Sequence, residues 1–189
     1  MGVENLWRHK SYVGIAALAL ASAAIWLAVL AASPPRVLTV AVLDVGQGDS
    51  IYIQSPTGVE IVIDGGPDNA LLRQLPKVMA FGDRSLNAVI ETHPDADHIA
   101  GFVDLLKRYH IDTFIEPGIS KDTVTAKTLE KEIDDKKIPR VILRRGAWLD
   151  LGGGARLHIL SPDFDVSTLS SNRANEGAIV ARLTYGSTS

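Results

Sequence analysis

His93-Pro94-Asp95-Ala96-Asp97-His98 stands directly behind the apolar run Leu86–Thr92 (LNAVIET). Four side chains able to hold a metal ion, His93, Asp95, Asp97 and His98, fall within six residues. The run before them is β-branched and apolar, as in a buried strand, so the cluster sits where a strand gives way to a loop. Such strand ends are where a rigid scaffold presents chemistry. Residues two apart in extended chain point the same way, so His93 and Asp95 can share one ion. Asp97 and His98 follow a further bend and can face a second ion. Two cations a few ångströms apart polarise a substrate oxygen and acidify a bridging water, a common device in phosphodiester hydrolysis. The competing reading is a polar loop in which Asp97 caps a helix starting near Ile99. A single His or Asp would fit that loop; two of each at this spacing favour metal.

Working outward, Val37–Val45 (VLTVAVLDV) reads as a buried strand broken by Gly46-Gln47-Gly48-Asp49. Ser50–Gln54 and Val59–Ile63 flank a turn at Ser55–Gly58 and give a hairpin signal. Asn69–Ala80 has helical spacing that Pro76 divides into two short helices. Beyond the cluster, Gly101–Tyr109 is an amphipathic helix, Ile111–Ile115 a strand and Asp122–Lys137 a charged helix with a sparse apolar stripe. Val141–Leu143, Trp148–Leu151, Arg156–Leu160 and Ala178–Tyr185 complete the strands. Interspersed strands and helices with hairpins argue for a layered α/β (α+β) architecture rather than a purely doubly wound sheet.

The chain has 189 residues and a net charge of -3, so it lacks the strongly basic footprint of a general nucleic-acid binder. It has no cysteine, which removes disulfides and thiolate ligands and leaves His, Asp, Glu or backbone for any metal. Tyr12–Ala32 carries no charge and supplies the ~20 apolar residues that a bilayer span requires. Arg8, His9 and Lys10 precede it and Pro34-Pro35 stop it. The basic flank favours a cytoplasmic N-terminus, which would put the following domain outside the cytoplasm; Arg36 on the far side makes that bias modest. A cleaved signal peptide is the rival reading, with Ala31-Ala32-Ser33 as its cleavage site. The apolar run exceeds the ~7–15 residues of a signal core, which favours an uncleaved anchor. The organisation expected is therefore a short cytoplasmic segment at 1–11, a transmembrane helix at 12–32 and one domain at 37–189.

The cluster resembles the HxHxDH motif of the metallo-β-lactamase superfamily, with Asp95 in place of the second His. HPDxDH followed by Ile99-Ala100-Gly101 resembles the branch found in ComEC-type competence proteins. So does Leu43-Asp44-Val45-Gly46-Gln47-Gly48-Asp49-Ser50. Ile63-Asp64-Gly65-Gly66 is similar to the superfamily's first motif. Asn175–Tyr185 is similar to its N-x-x-S-x-V-x-x-L segment, with Ala178 where the family has Ser.

The resemblance implies an αββα sandwich of which this chain holds the N-terminal half to two-thirds, preceded by one transmembrane helix. It places His93 and Asp95 in a first metal site and Asp97 and His98 in a second, with Asp97 also orienting the attacking water. It sets Asp64 just behind the metals and Asp49 on the site rim. Two divalent ions are implied. A carboxylate at position 95 hardens the first site and moves preference from zinc toward manganese or magnesium; the ions expected are manganese or zinc, with magnesium admitted. Family members continue into a strand ending in Thr-Gly-Asp and a later His, so the chain is expected to be incomplete at its C-terminus.

The expected function is a membrane-anchored, metal-dependent hydrolase of phosphodiesterase or nuclease type, acting on DNA in a competence-like uptake route. The alternatives are a non-catalytic, membrane-tethered module of a DNA-uptake assembly, or a hydrolase of a small ester, amide or lactam. Lys107-Arg108 and His110 read as surface residues, His158 as a strand residue outside the ligand set, and Gly152-Gly153-Gly154 as a turn. Asn175 reads as a turn or a site residue.

Overall fold

The computed structural model describes residues 3–31 and 37–188. They fall into two compact units, Met1–Arg36 and Val37–Ser189.

The first unit is one helix, α1 (Val3–Ala31). Within it Tyr12–Val29 has a mean hydropathy of 2.1 and no buried residue. At 1.5 Å per residue those 18 residues reach about 27 Å, close to the thickness of a bilayer's hydrocarbon core. By length and composition this helix can cross a membrane. It starts well before the apolar run, because Glu4–Lys10 contains no proline or glycine to stop it. Ala32, the Pro34-Pro35 stop and Arg36 lie outside the described residues.

The second unit runs β1 (Thr39–Val42), β2 (Ile51–Gln54), β3 (Glu60–Ile63), α2 (Ala70–Gln74) and a 3-10 turn at Leu75–Lys77. It continues through β4 (Ser85–Leu86), β5 (Ala88–Ile90), α3 (Ala96–Arg108), β6 (His110–Ile111), β7 (Phe114–Glu116) and α4 (Val124–Lys136). It ends with β8 (Arg140–Ile142), β9 (Trp148–Gly152), β10 (Ala155–Ser161), a 3-10 segment at Ser171–Gly177 and β11 (Val180–Tyr185). Six strands form one sheet in the order β1-β2-β3-β5-β7-β8. Its first three strands are antiparallel and the rest run parallel to β3. A second, antiparallel sheet has the order β11-β10-β9.

Strand alternation explains the layers. Val62, Val89 and Phe114 point to one face and pack with Phe102, Leu105, Leu106, Leu129 and Ile133 of α3 and α4. Ile61, Ile90 and Ile115 point to the other and pack with Leu151, Leu157 and Ile159 of the second sheet. The result is a helix layer, a mixed sheet and a second sheet, the layered α/β architecture that the sequence implies. Each of these fully buried apolar side chains contributes roughly 1.5–3 kcal/mol of transfer free energy. Phe102 and Phe114 add an edge-to-face contact at 6.1 Å between centroids.

Two expected strands are shorter than the sequence suggests. Leu86–Thr92 and Ile111–Ile115 each split, and their first parts pair with each other as the small parallel ladder β4–β6. Asn87 and Asp112 cause the split. The Asn87 amide oxygen accepts the Glu60 N–H at 2.9 Å, and its nitrogen donates to Asp112 at 3.1 Å, bending both chains out of the main ladder. Val37–Val45 likewise shrinks to Thr39–Val42. Gly152, Gly153 and Gly154 all have positive φ and form the β9–β10 turn.

The parallel strands position the site. The loops leaving the C-terminal ends of neighbouring β5 and β7 are Glu91–Asp95 and Pro117–Thr123, so both emerge on the same edge. In open α/β sheets that edge is where ligands bind.

Candidate metal centre

α3 begins at Ala96, earlier than the Ile99 or Gly101 start that the sequence suggests. Neither proline nor glycine interrupts Ala96-Asp97-His98, and Pro94, one residue before the N-cap Asp95, keeps His93 out of the helical region. Asp97 and His98 therefore lie in the first helical turn, and the bend before them falls at Thr92–Asp95 rather than after Asp95. Asp95 holds the N-cap position, and its carboxylate makes no capping hydrogen bond. His93 and Asp95 are brought together by a tight turn across Pro94, in which the Asp95 N–H donates to the His93 carbonyl at 3.0 Å, rather than by extended chain.

The side chains form two pairs. His93 Nε2 is 3.8 Å from Asp95 Oδ2, and His98 Nε2 is 3.8 Å from Asp97 Oδ2. The two imidazoles lie 4.1 Å apart between centroids. His93 is buried, His98 largely so, and Asp97 is exposed.

Asp64 organises both imidazoles. It sits at φ 58 just after β3, a left-handed position that Asp tolerates better than most residues. Its Oδ1 accepts the Thr92 N–H at 2.8 Å. Its Oδ2 lies 2.6 Å from Thr92 Oγ1 and 2.7 Å from His98 Nδ1. A carboxylate only accepts, so His98 carries its hydrogen on Nδ1 and Thr92 spends its hydroxyl hydrogen on Asp64. The Thr92 oxygen, 2.9 Å from His93 Nδ1, must then accept from that nitrogen. When neutral, both imidazoles consequently present a bare Nε2 lone pair to the Asp95 and Asp97 side of the loop. One carboxylate thus sets two tautomers, the usual service of a group behind a metal ligand.

The protonation tendencies of the two rings diverge. The Asp64 hydrogen bond, aided by the Asp64, Asp97 and Asp49 charges, raises the His98 pKa. Burial, and then the neighbouring His98, lowers that of His93.

Backbone packing fixes the loop. The Gly65 N–H donates to the His98 carbonyl at 2.6 Å and the Gly101 N–H to the Gly66 carbonyl at 3.0 Å. A Cβ on Gly48 would come 1.9 Å from the Asp97 carbonyl oxygen, so the Gly46–Asp49 loop lies directly on the start of α3. Asp49 is on that loop and exposed.

Two donors about 2.1 Å from one tetrahedral ion stand about 3.4 Å apart. Each observed pair, at 3.8 Å, is a few tenths of an ångström wider. With bare Nε2 atoms and adjacent carboxylate oxygens, the donor set fits two half-sites for divalent ions. No group of three or more such side chains converges among the described residues.

The remaining sequence candidates lie elsewhere. His110 is exposed beside Asp112, His158 stacks on Trp148, and Asn175 is exposed in a 3-10 turn. Sequence reasoning missed Thr92, the relay between Asp64 and His93. It also missed Lys121, whose Nζ lies 2.5 Å from Asp95 Oδ1. Lys121 was findable only from the parallel order of β5 and β7, which no local motif reveals.

Among curated proteins none matches the chain. Solved structures share its fold. A HARLDQ-motif mutant of a metallo-beta-lactamase from Cronobacter sakazakii superposes with TM-score 0.50 at 16% identity, over 79% of this chain and 57% of that one. The metallo-beta-lactamase fold protein YhfI from Bacillus subtilis gives TM-score 0.49 at 20% identity, over 79% and 58%. The chain thus spans somewhat over half the length of these structures. The family model described as metallo-beta-lactamase superfamily matches residues 43–173, which take in the Asp64 turn, the His93–His98 cluster, α3 and α4. The chain belongs to the metallo-beta-lactamase superfamily.

Proposed function

We propose that this chain is part of a membrane-anchored, metal-dependent hydrolase of phosphodiesterase or nuclease type, in the ComEC-type branch of the superfamily. The observation that carries the reading is the pair of bare Nε2 atoms, each beside a carboxylate and both set by Asp64. His93 with Asp95 and Asp97 with His98 would hold two divalent ions, manganese or zinc with magnesium admitted. Ions bound there would supply Lewis acidity and an acidified water. The residues themselves supply orientation. Asp97, exposed at the start of α3, would accept a hydrogen bond from an attacking water. The Gly46–Asp49 loop, which lies against the start of α3, would form one wall of the site with Asp49 at its rim. A carboxylate at position 95 favours hard ions, and hard ions suit phosphate oxygens.

In this reading Tyr12–Ala32 spans the membrane and residues 1–11 stay in the cytoplasm. Residues 37–189 then face outward, where DNA is met in a competence-like uptake route. Trypsin added to sealed, right-side-out vesicles should remove the domain; protection from trypsin would reverse the sidedness.

The test of activity is manganese-dependent cleavage of single- and double-stranded DNA by the full chain in detergent, beside His93→Ala and Asp97→Ala. Cleavage lost in both variants supports the reading, and cleavage unchanged in both overturns it. The second reading is a non-catalytic, membrane-tethered module of a DNA-uptake assembly. It is favoured by one observation, that no three ligand side chains converge among the described residues. DNA binding without cleavage at any metal concentration would select it. A lactam or small-ester substrate would instead appear as metal-dependent turnover of nitrocefin or a nitrophenyl ester.

A further inference from the structure

Lys121 stands on the loop after β7, and its ammonium is 2.5 Å from Asp95 Oδ1. The other oxygen of that carboxylate faces His93 at 3.8 Å. Asp95 is therefore held between the imidazole that would share an ion with it and a protein cation. The neighbouring Asp122 does not compete for Lys121, since it pairs with Lys127.

The lysine is presented by an anchored loop. Gly118 turns the chain at φ 85, Ile119 is buried against Val166 and Ala174, and the Thr123 N–H closes back on the Lys121 carbonyl at 3.0 Å. Inward retreat is closed as well. The stem of Lys121 lines a cavity of only about 10 Å³ among Glu91, Pro94, Glu116 and Arg140, and the Glu116 carboxylate there is already taken by Arg140 at 2.7 Å. A space of that size holds about one water and no ammonium with its hydration.

We propose that Lys121 is the resident counter-ion of the first half-site: it holds Asp95 Oδ1 when no metal is bound, and a divalent ion entering between His93 Nε2 and Asp95 Oδ2 must bind against that ammonium, weakening its hold or driving it outward to solvent. This rests on the metal-binding reading given above and assigns a regulator to that same site. Lys121 and a bound ion compete for one carboxylate and also repel each other, so removing the lysine charge tightens metal binding. A partly exposed ion pair is worth up to ~1 kcal/mol, and the lost repulsion adds to it. The effect expected is therefore about fivefold.

The experiment is calorimetric titration of the full chain in detergent with manganese, for the unaltered protein, Lys121→Met and Lys121→Arg, each checked by circular dichroism. Met keeps the apolar stem without the charge, and Arg keeps the charge. The expected result is a dissociation constant about fivefold lower for Lys121→Met and unchanged or higher for Lys121→Arg. Equal affinities for the unaltered protein and Lys121→Met overturn the proposal while leaving the metal site standing. Tightening by both variants overturns it too, because charge is then not the cause. If none of the three binds manganese, the metal-binding reading falls with it. Should Lys121→Met fail to fold, Lys121→Gln is read by the same criteria.

Discussion

Asp64 Oδ2 is shared by His98 Nδ1 at 2.7 Å and Thr92 Oγ1 at 2.6 Å, so a single carboxylate governs both imidazoles of the cluster. Asp64→Asn leaves one acceptor oxygen to serve three donors, the Thr92 N–H, the Thr92 hydroxyl and His98 Nδ1–H. At least one tautomer is then released. Manganese affinity should fall about 10- to 100-fold, and calorimetric titration measures it. Affinity within twofold of the unaltered protein would show that Asp64 does not set the rings.

Gly101 tests how tightly α3 lies on the Asp64 turn. A methyl there would stand 2.0 Å from the Gly65 carbonyl oxygen and 2.8 Å from that of Asp68, both backbone atoms that cannot swing aside. In an open helix the change to Ala gains about 1 kcal/mol. Here overpacking of about 3 kcal/mol reverses the sign, and Gly101→Ala should lose about 2 kcal/mol net. In a domain of this size the melting temperature then falls by about 4–8 °C. An unchanged or raised melting temperature refutes the close approach.

Glu91 is buried on the helix side of the sheet, and burial, then the nearby Glu116 charge, pushes its pKa well above the usual carboxylate range. In the unfolded chain it ionises at ordinary acidity. Below that range the group is neutral in both states and costs nothing. As the pH rises the unfolded state loses its proton first, so stability falls until the folded-state group ionises too. Glu91→Gln removes this loss. Urea denaturation should show the variant gaining on the unaltered protein between pH 5 and pH 8. A gap that stays constant with pH would mean that Glu91 is not the titrating group.

The two ends of α4 should respond with opposite signs. Thr123 Oγ1 accepts the Ala126 N–H at 3.2 Å, so Thr123→Ala costs about 1 kcal/mol. Lys137, at the other end, is exposed with φ 55, where a side chain is strained. Lys137→Gly relieves that strain by roughly 1 kcal/mol. Paired denaturation curves check both, and a loss of stability on Lys137→Gly contradicts the left-handed cap.

The fold was legible where periodicity was strong and local. The hairpin of β2 and β3, the stripe of α4 and the charge-free run in α1 all follow from pattern alone. Boundaries failed where a side chain far away in sequence decides them. Asn87 and Asp112 end their strands by bonding each other and Glu60, which no window of sequence contains. At the site the donor types were legible, because His and Asp at this spacing have few other uses. The means of holding them were not. Thr92 looks like one more β-branched strand residue, and Lys121 like a solvated loop charge. Their roles come from the parallel placement of β5 and β7, a property of topology rather than of motif.

The loop's fixings, Asp64, Thr92, Gly48, Gly65, Gly66 and Gly101, fall within one contiguous stretch of the chain. The second sheet comes later and packs on the opposite face of the main sheet. The two regions meet beside the site in a backbone bond, Ile179 N–H to the Thr92 carbonyl at 2.9 Å, and away from it can diverge under separate pressures. Substitutions in β9, β10 and β11 tax the solubility and lifetime of the protein while leaving the imidazole geometry intact. Substitutions at those six positions disturb the imidazole geometry itself. A lineage could thus rebuild the second sheet while keeping the arrangement that Asp64 imposes on the two rings.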